Sequence, residues 1–139
     1  MPPPHPAGAR QLRFLVVDDC EDIRDMFCCF VERAGHLTRP AVDGLDAVET
    51  LQQESFDVML LDLNMPRMGG VEVLQWLRAH PDVAPGMRVV VVTAWTQQHV
   101  AHLADLGVTT VIEKPLRLQR LNDLIAETLH DLESPQPIR

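Results

Sequence analysis

The stretch Val58-Met59-Leu60-Leu61-Asp62 sets four apolar residues directly before a carboxylate. A short apolar run bounded by polar residues is typical of a buried strand in a parallel sheet. The same arrangement occurs three more times: residues 14–17 precede Asp18 and Asp19, residues 89–92 precede Thr93, and Val111 and Ile112 precede Glu113, Lys114 and Pro115. Each of these strands is therefore predicted to end at side chains suited to phosphoryl chemistry.

Strand and helix patterns alternate along the chain, which predicts βαβ units. The expected fold is α/β, a doubly wound (βα)5 three-layer sandwich with a five-stranded parallel sheet. Pro40 cannot donate a ladder hydrogen bond, so the second strand is predicted at a sheet edge. Strands are predicted at residues 12–17, 37–42, 56–61, 88–92 and 109–112, and helices from residue 20 or 21 to about 34 and at 45–53, 71–79, 97–106 and 118–132.

Apolar stripes at helical spacing predict which helix residues face the core. In the first helix the stripe consists of Ile23, Met26, Phe27, Phe30, Val31 and Ala34, and in the second of Leu45, Val48 and Leu51. The folded domain is predicted at residues 12–132. Proline-rich segments at its two ends, residues 1–11 and 133–139, are predicted to be tails.

The composition excludes several functional classes. The chain has 139 residues, enough for one domain, and a net charge of −8, which argues against binding to nucleic acid or to an anionic membrane surface. No apolar stretch approaches a membrane span of about 20 residues, and the N-terminus has no secretory signal pattern. Cys20, Cys28 and Cys29 match no zinc spacing and are expected to be free thiols in the reducing cytoplasm.

The carboxyl ends of parallel strands meet at one edge of a sheet, where open α/β sheets place their sites. We therefore expect Asp18, Asp19, Asp62, Thr93 and Lys114 to lie close together. Lys114 is the only lysine of the chain, against eleven arginines, and a compact ammonium suits a phosphoryl oxygen. Crowded carboxylates repel one another unless a cation lies among them, and Mg²⁺ prefers such oxygen ligands.

Two interpretations stay open for each of these residues. Lys114 fits either an ordinary solvated charge or a fixed counterion, and the proline that follows it favours the counterion. Asp62 fits either a loop cap or a carboxylate nucleophile that accepts a phosphoryl group. Asp18 and Asp19 fit either a helix N-terminus, where acids are favourable, or a metal site. Thr93 fits either an ordinary strand residue or a donor to a phosphoryl oxygen, and the backbone carbonyl of Asn64 is a candidate metal ligand.

From about residue 12 to residue 132 the chain resembles a bacterial response-regulator receiver domain, a flavodoxin-like fold of the two-component systems. The matching residues are Asp18-Asp19, Asp43-Gly44, Asp62-Leu63-Asn64-Met65-Pro66-Arg67-Met68-Gly69-Gly70, Thr93-Ala94 and Lys114-Pro115. The resemblance implies that Asp62 is the phosphoacceptor and that Asp18, Asp19, Asp62 and the Asn64 carbonyl hold Mg²⁺. It also implies that Thr93 is the switch hydroxyl, that Lys114 is the phosphate counterion and that a cis bond precedes Pro115.

Two residues depart from the family pattern. Val111 stands where receivers usually have an aromatic residue, and the chain contains no tyrosine. We therefore expect a smaller change around the fourth helix and fifth strand on phosphorylation. Trp95 stands two residues after Thr93, where a bulky side chain either shields the acyl phosphate from water or is simply an exposed aromatic residue.

The resemblance implies a cytoplasmic phosphorelay module. Its expected partners are a histidine kinase or histidine phosphotransfer protein and a downstream protein, and its only catalysis is Mg²⁺-dependent phosphorylation and dephosphorylation of its own Asp62. The face built from the fourth helix, fifth strand and fifth helix is a candidate homodimer interface. Its charged residues fit either ion pairs across a dimer or, as surface charges more often do, solvated helix faces; they are Arg117, Arg120, Glu127 and Asp131. The alternatives are a phosphate-independent scaffold and an aspartyl-phosphate phosphatase, although the phosphatase would need an acid where Asn64 stands. A flavodoxin-like cofactor binder would need a phosphate loop in place of residues 18–22.

Overall fold

Five strands and five helices alternate in the computed structural model, which describes residues 10–63, 65, 67–94, 100–108, 110–115 and 117–133. The strands are β1 (Arg13–Val17), β2 (Leu37–Ala41), β3 (Val58–Asp62), β4 (Arg88–Thr93) and β5 (Thr110–Glu113). The helices are α1 (Glu21–Arg33), α2 (Gly44–Leu51), α3 (Gly70–Ala79), α4 (Val100–Asp105) and α5 (Leu118–Glu133).

All strand pairs are parallel, and the sheet order is β2-β1-β3-β4-β5. The order confirms the predicted parallel α/β fold. It also places β2, with Pro40, at an edge as predicted. From β1 the chain adds β2 on one side of the sheet and then β3 on the other, so the strand order reverses between β1 and β3. In doubly wound folds this switch point leaves a crevice at the carboxyl ends of the two strands, where ligands bind.

Alternate residues of the central strands pack on opposite faces of the sheet, which gives the predicted three layers. Leu15, Met59 and Val91 join a core with α2 and α3. On the other face, Phe14, Leu60 and Val90 join a core with α1 and α5. All five residues of β3 are buried, so the strand that ends at Asp62 is held rigidly from both sides.

Three residues of the predicted apolar stripes are exposed instead: Met26, Ala34 and Leu45. Ala34 follows the last residue of α1 and so lies beyond the face that packs on the sheet. Met26 and Leu45 are each 43% exposed. The buried faces of their helices are centred on Phe27 and Val31 and on Ala47 and Leu51. Met26 and Leu45 lie just beyond the edges of these faces, because the sheet covers a narrower arc of each helix than the apolar pattern suggested.

Several predicted boundaries are wrong by one or two residues. β3 begins at Val58 rather than at Phe56 and includes Asp62, and β4 includes Thr93. Arg10 and Gln11, predicted to belong to a tail, contact the domain through Asp57 and the Gly35 carbonyl. At the other end, α5 extends to Glu133. Among the described helices, none combines the length and the apolar character that a membrane crossing requires.

Candidate functional site

Three carboxylates meet at the carboxyl ends of β1 and β3. Asp18 and Asp19 follow the last residue of β1, and Asp62 is the last residue of β3. One carboxylate oxygen from each of the three lies within 4.8 Å of the others. Asp18 is 2% exposed and Asp62 is 4% exposed, whereas Asp19 is open to solvent. The strand ends thus bring together the three acids that the sequence pattern singled out.

Hydrogen bonds to both its side chain and its backbone hold Asp18 in place. Its Oδ1 accepts the backbone N–H of Cys20 at 2.9 Å, and its own N–H donates to the carbonyl of Ala41 at 3.3 Å. The Arg24 guanidinium donates to the Asp18 carbonyl at 2.9 Å. The sequence pattern did not indicate this role for Arg24, because its position on α1 is typical of an ordinary charged helix residue.

Lys114 reaches the carboxylates from the end of β5. Its Nζ lies 3.3 Å from Asp62 Oδ1 and 3.8 Å from Asp18 Oδ2. Its backbone N–H donates to the Thr93 carbonyl at 2.8 Å, which extends the β4–β5 pairing to the residue that carries the ammonium. The Lys114–Pro115 peptide bond is cis, as the resemblance implied. The single lysine of the chain is therefore directed at the central carboxylate.

Thr93 lies at the same edge of the sheet. It is the last residue of β4 and is 4% exposed. Asp62 is paired across β3 and β4 with Val92, so Thr93 stands one residue farther toward the carboxyl end than Asp62. That position puts a buried hydroxyl residue beside the carboxylate cluster and the lysine.

The donor set fits a divalent cation. The three carboxylates lie close together in a largely buried crevice, and the Lys114 ammonium lies beside two of them. Carboxylates crowded in this way repel one another, and their oxygens are the ligands that Mg²⁺ prefers. Exposed Asp19 leaves room for the water molecules that Mg²⁺ normally retains. The cluster is therefore chemically suited to a hydrated magnesium ion.

Val111 packs against the core on the α2 and α3 side of the sheet and pairs with Val91. It is an aliphatic core residue at the position where receivers usually have an aromatic one.

Asn64 and Trp95 lie outside the described residues. The residues of the candidate dimer face include two acids with partners in the same chain: Glu127 lies 3.5 Å from Arg120, and Asp131 pairs with Arg88.

The profile of the response regulator receiver domain family matches residues 14–126. This match includes most of both cores and all the carboxyl ends of the strands described above. The chain belongs to the response regulator receiver domain family. This receiver domain is thus a phosphoacceptor signalling module of the two-component type, and the comparisons do not favour the scaffold or phosphatase alternatives.

Individual relatives agree with that assignment. The receiver domain is 32% identical over 120 residues to the Regulator of RpoS of Escherichia coli, covering 85% of this chain and 35% of that protein. It is 28% identical over 118 residues to sporulation initiation phosphotransferase F of Bacillus subtilis, covering 84% and 93% of the two chains. The chain therefore spans only about a third of the first of these relatives.

A solved CheY-like receiver domain from Methanospirillum hungatei superimposes on this receiver domain with a TM-score of 0.80. The two are 28% identical, and the superposition covers 89% of this chain and 98% of the other. The shared architecture extends over nearly the whole of both domains. It therefore includes the sheet edge at which the three carboxylates, Thr93 and Lys114 lie.

Proposed function

We propose that Asp62 accepts a phosphoryl group and that the resulting acyl phosphate controls the binding of a partner protein. The observation that carries this proposal is the position of the Asp62 carboxylate, 3.3 Å from Lys114 Nζ and clustered with Asp18 and Asp19. Asp62 ends the most buried strand, so its carboxylate is presented from a rigid support. Such positioning is a large part of catalysis in phosphoryl transfer.

In the proposed step, an Asp62 oxygen forms a bond to phosphorus while the bond from phosphorus to the donor breaks. The leaving atom of the donor, an imidazole nitrogen or the oxygen of acetyl phosphate, keeps the electron pair. Asp18, Asp19, Asp62 and the Asn64 carbonyl would hold Mg²⁺, which screens the charge of the incoming phosphoryl group. Lys114 then pairs with one phosphoryl oxygen, and the Thr93 hydroxyl donates to another.

Phosphorylation would exchange the Lys114–Asp62 ion pair for an ion pair with the phosphoryl group. The phosphoryl group carries about −1.5 to −2 charges in place of the single charge of the Asp62 carboxylate, and it brings strong acceptor oxygens to the ends of β4 and β5. A population shift in α4 and β5 would then alter the affinity for a downstream protein. Val111 has a smaller side chain than the usual aromatic residue, so we expect this shift to be small.

The donor would be a histidine kinase or a histidine phosphotransfer protein in the cytoplasm. An apolar groove of about 330 Å³ opens beside the proposed phosphoryl site, lined by Ile23, Met26, Phe27, Val92, Lys114 and Pro115. Because Lys114 lines this groove and also contacts Asp62, a donor protein bound over Asp62 would lie close to it. The face of α4, β5 and α5, where Leu118 is 45% exposed, is the proposed surface for a homodimer.

The proposed domain extends over residues 12–132, with flanking segments at 1–11 and 133–139. The family match at residues 14–126 falls inside this range. The contacts of Arg10 and Gln11 with Asp57 and Gly35 add two residues to its folded part.

Intact mass after incubation with acetyl phosphate tests the proposal. We expect wild-type protein to gain one phosphoryl group only when Mg²⁺ is present, and we expect Asp62→Ala to gain none. Lys114→Met should remain folded but react at least tenfold more slowly, because the phosphoryl oxygens lose their counterion. Uptake by Asp62→Ala equal to that of the wild type would refute the assignment, and absence of uptake by the wild type would favour the scaffold alternative.

A further inference from the structure

The loop that follows the phosphoacceptor strand crosses the start of α2. Its residue Met68 accepts the backbone N–H of Gly44 at 2.9 Å, and the N–H of Gly70 donates to the Leu63 carbonyl at 3.1 Å. A Cβ atom on Gly44 would lie 2.2 Å from the Met68 oxygen. Only glycine therefore allows the loop and the helix to approach this closely.

Within this loop, Arg67 has a backbone φ of 64°. This left-handed conformation is unfavourable for a residue with a side chain and persists only where surrounding contacts hold it. Arg67 Nε donates to Asp43 Oδ2 at 2.6 Å, and its Nη2 contacts the same oxygen. Two donors of one guanidinium thus fix the residue that carries the unfavourable backbone conformation.

The two carboxylate oxygens of Asp43 accept hydrogen bonds from different elements, one from α2 and the other from the loop. Oδ1 accepts the Asp46 N–H at 2.9 Å and caps the N-terminus of α2, while Oδ2 binds Arg67. The side chain of Asp43 is 5% exposed, and that of Arg67 is 62% exposed. Asp43 is therefore the anchor, and the solvent-exposed Arg67 is the residue that is held.

The ionised form of Asp43 is favoured despite its burial. Burial alone would raise the pKa of the carboxyl. The hydrogen bonds from the Asp46 N–H, the Arg67 guanidinium and the Leu45 N–H, together with the charge of Arg67, outweigh burial and lower the pKa below its ordinary value. The anchor is thus charged at neutral pH.

We infer that Asp43 and Arg67 form a positioning pair that holds the loop after Asp62 in the shape that the phosphoacceptor site requires. The inference rests on the proposed function. The loop begins directly after Asp62 and includes Asn64, the proposed carbonyl ligand of Mg²⁺. Neither member of the pair belongs to the carboxylate cluster, so the pair acts on the site through the backbone from Met68 to Gly70, where the N–H of Gly70 donates to the carbonyl of Leu63.

The test compares Mg²⁺ affinity, by isothermal titration of the full chain, with the urea unfolding of the same variants. Arg67→Ala removes the ion pair and keeps a Cβ in the left-handed conformation. We expect its Mg²⁺ dissociation constant to rise about tenfold, the lower end of the effect of residues that orient metal ligands. Arg67→Lys should recover part of this loss, because it retains a charged donor.

Two further variants separate positioning from support of the fold. Arg67→Gly removes the ion pair but tolerates the left-handed backbone, so it should unfold at higher urea than Arg67→Ala and still bind Mg²⁺ more weakly than the wild type. Asp43→Asn keeps an oxygen to cap α2 and loses the charge that binds Arg67. Combined with Arg67→Ala, it should weaken Mg²⁺ binding no more than either change alone, as expected for partners in one interaction.

Arg10→Ala is the matched control, because Arg10 also pairs with an aspartate, Asp57, at 3.1 Å but lies before the start of β1, at the opposite end of the sheet. Its Mg²⁺ affinity should equal that of the wild type. If Arg67→Ala binds Mg²⁺ within twofold of a wild type that takes up phosphate, the positioning role is refuted and the proposed function stands. If the wild type neither binds Mg²⁺ nor takes up phosphate, both are refuted.

Discussion

Two adjacent glycines at the start of α3 should respond very differently to the same substitution. A Cβ atom on Gly70 would lie 2.6 Å from the Asp62 carbonyl oxygen and 2.7 Å from the Leu63 Cα. A Cβ atom on Gly69 would have its nearest neighbour, the Leu63 carbonyl oxygen, at 3.4 Å. Gly69 also has an ordinary φ of −78°, so alanine fits there without a change in backbone.

The expected magnitude follows from these distances. In Gly70→Ala the methyl group meets the backbone of the phosphoacceptor itself, which must move by about 0.8 Å to restore ordinary contact at 3.4 Å. Overpacking of this kind costs about 1–3 kcal/mol, and the better helix propensity of alanine returns at most about 1 kcal/mol. We expect a net loss of about 2 kcal/mol of unfolding free energy for Gly70→Ala and a change within about 0.5 kcal/mol for Gly69→Ala.

The same displacement should slow phosphorylation. A misplacement of about 1 Å in a reacting group can cost about 100-fold in rate, so Gly70→Ala should take up phosphate from acetyl phosphate at least tenfold more slowly than Gly69→Ala. Urea unfolding followed by circular dichroism measures the first effect, and intact mass against time measures the second. Equal unfolding free energies and equal rates for the two variants would refute the argument that the Asp62 backbone is confined by Gly70.

Three further predictions concern groups around the site. Burial raises the pKa of the Cys28 thiol, the charges of Glu32 and Asp25 raise it further, and the hydrogen bond with Thr38 opposes them. At pH 8 iodoacetamide should therefore label the exposed Cys20 and Cys29 well before Cys28. Equal labelling rates in peptide mass maps would contradict this. Folding lowers the pKa of Asp43, so its carboxylate stabilises the fold at pH values above about 3.9, the ordinary pKa of an aspartate in an unfolded chain. This stabilisation is lost as the pH falls through the pKa of Asp43 in the folded protein. Urea unfolding of Asp43→Asn should therefore vary less between pH 5 and pH 2 than that of the wild type, and parallel pH profiles would rule the mechanism out. Beryllofluoride and Mg²⁺ should shift the NMR signals of Val111 and of α4 only slightly, and a large displacement at Val111 would show that an aromatic residue is unnecessary for a full switch.

The parts of the fold that depend on local chemistry could be predicted from the sequence. The apolar runs predicted the strands because a short continuous apolar run fits a strand that is buried on both faces of a parallel sheet. Pro40 predicted the edge position of β2, since proline has no backbone N–H to donate to a neighbouring strand. The strand ends predicted that Asp18, Asp62 and Lys114 would meet, because parallel strands all present the same end.

Contacts that depend on long-range placement could not be predicted in this way. Nothing in the sequence around Arg24 or Arg67 indicates that their guanidinium groups reach the Asp18 carbonyl and Asp43. Arginine has no preference for the left-handed conformation that Arg67 adopts, so residue propensities did not predict this backbone conformation. The outward positions of Met26 and Leu45 depend on how each helix lies on the sheet, which helical spacing alone does not define.

The most direct test of the central claim is to locate the acyl phosphate within the chain. Protein treated with acetyl phosphate and Mg²⁺ is reduced with borohydride, which converts an aspartyl phosphate to homoserine, and is then digested and sequenced by mass spectrometry. We expect homoserine at position 62 and aspartate at positions 18 and 19. Homoserine at either of those two positions, or phosphate recovered on a side chain elsewhere, would contradict the assignment of Asp62 as the phosphoacceptor.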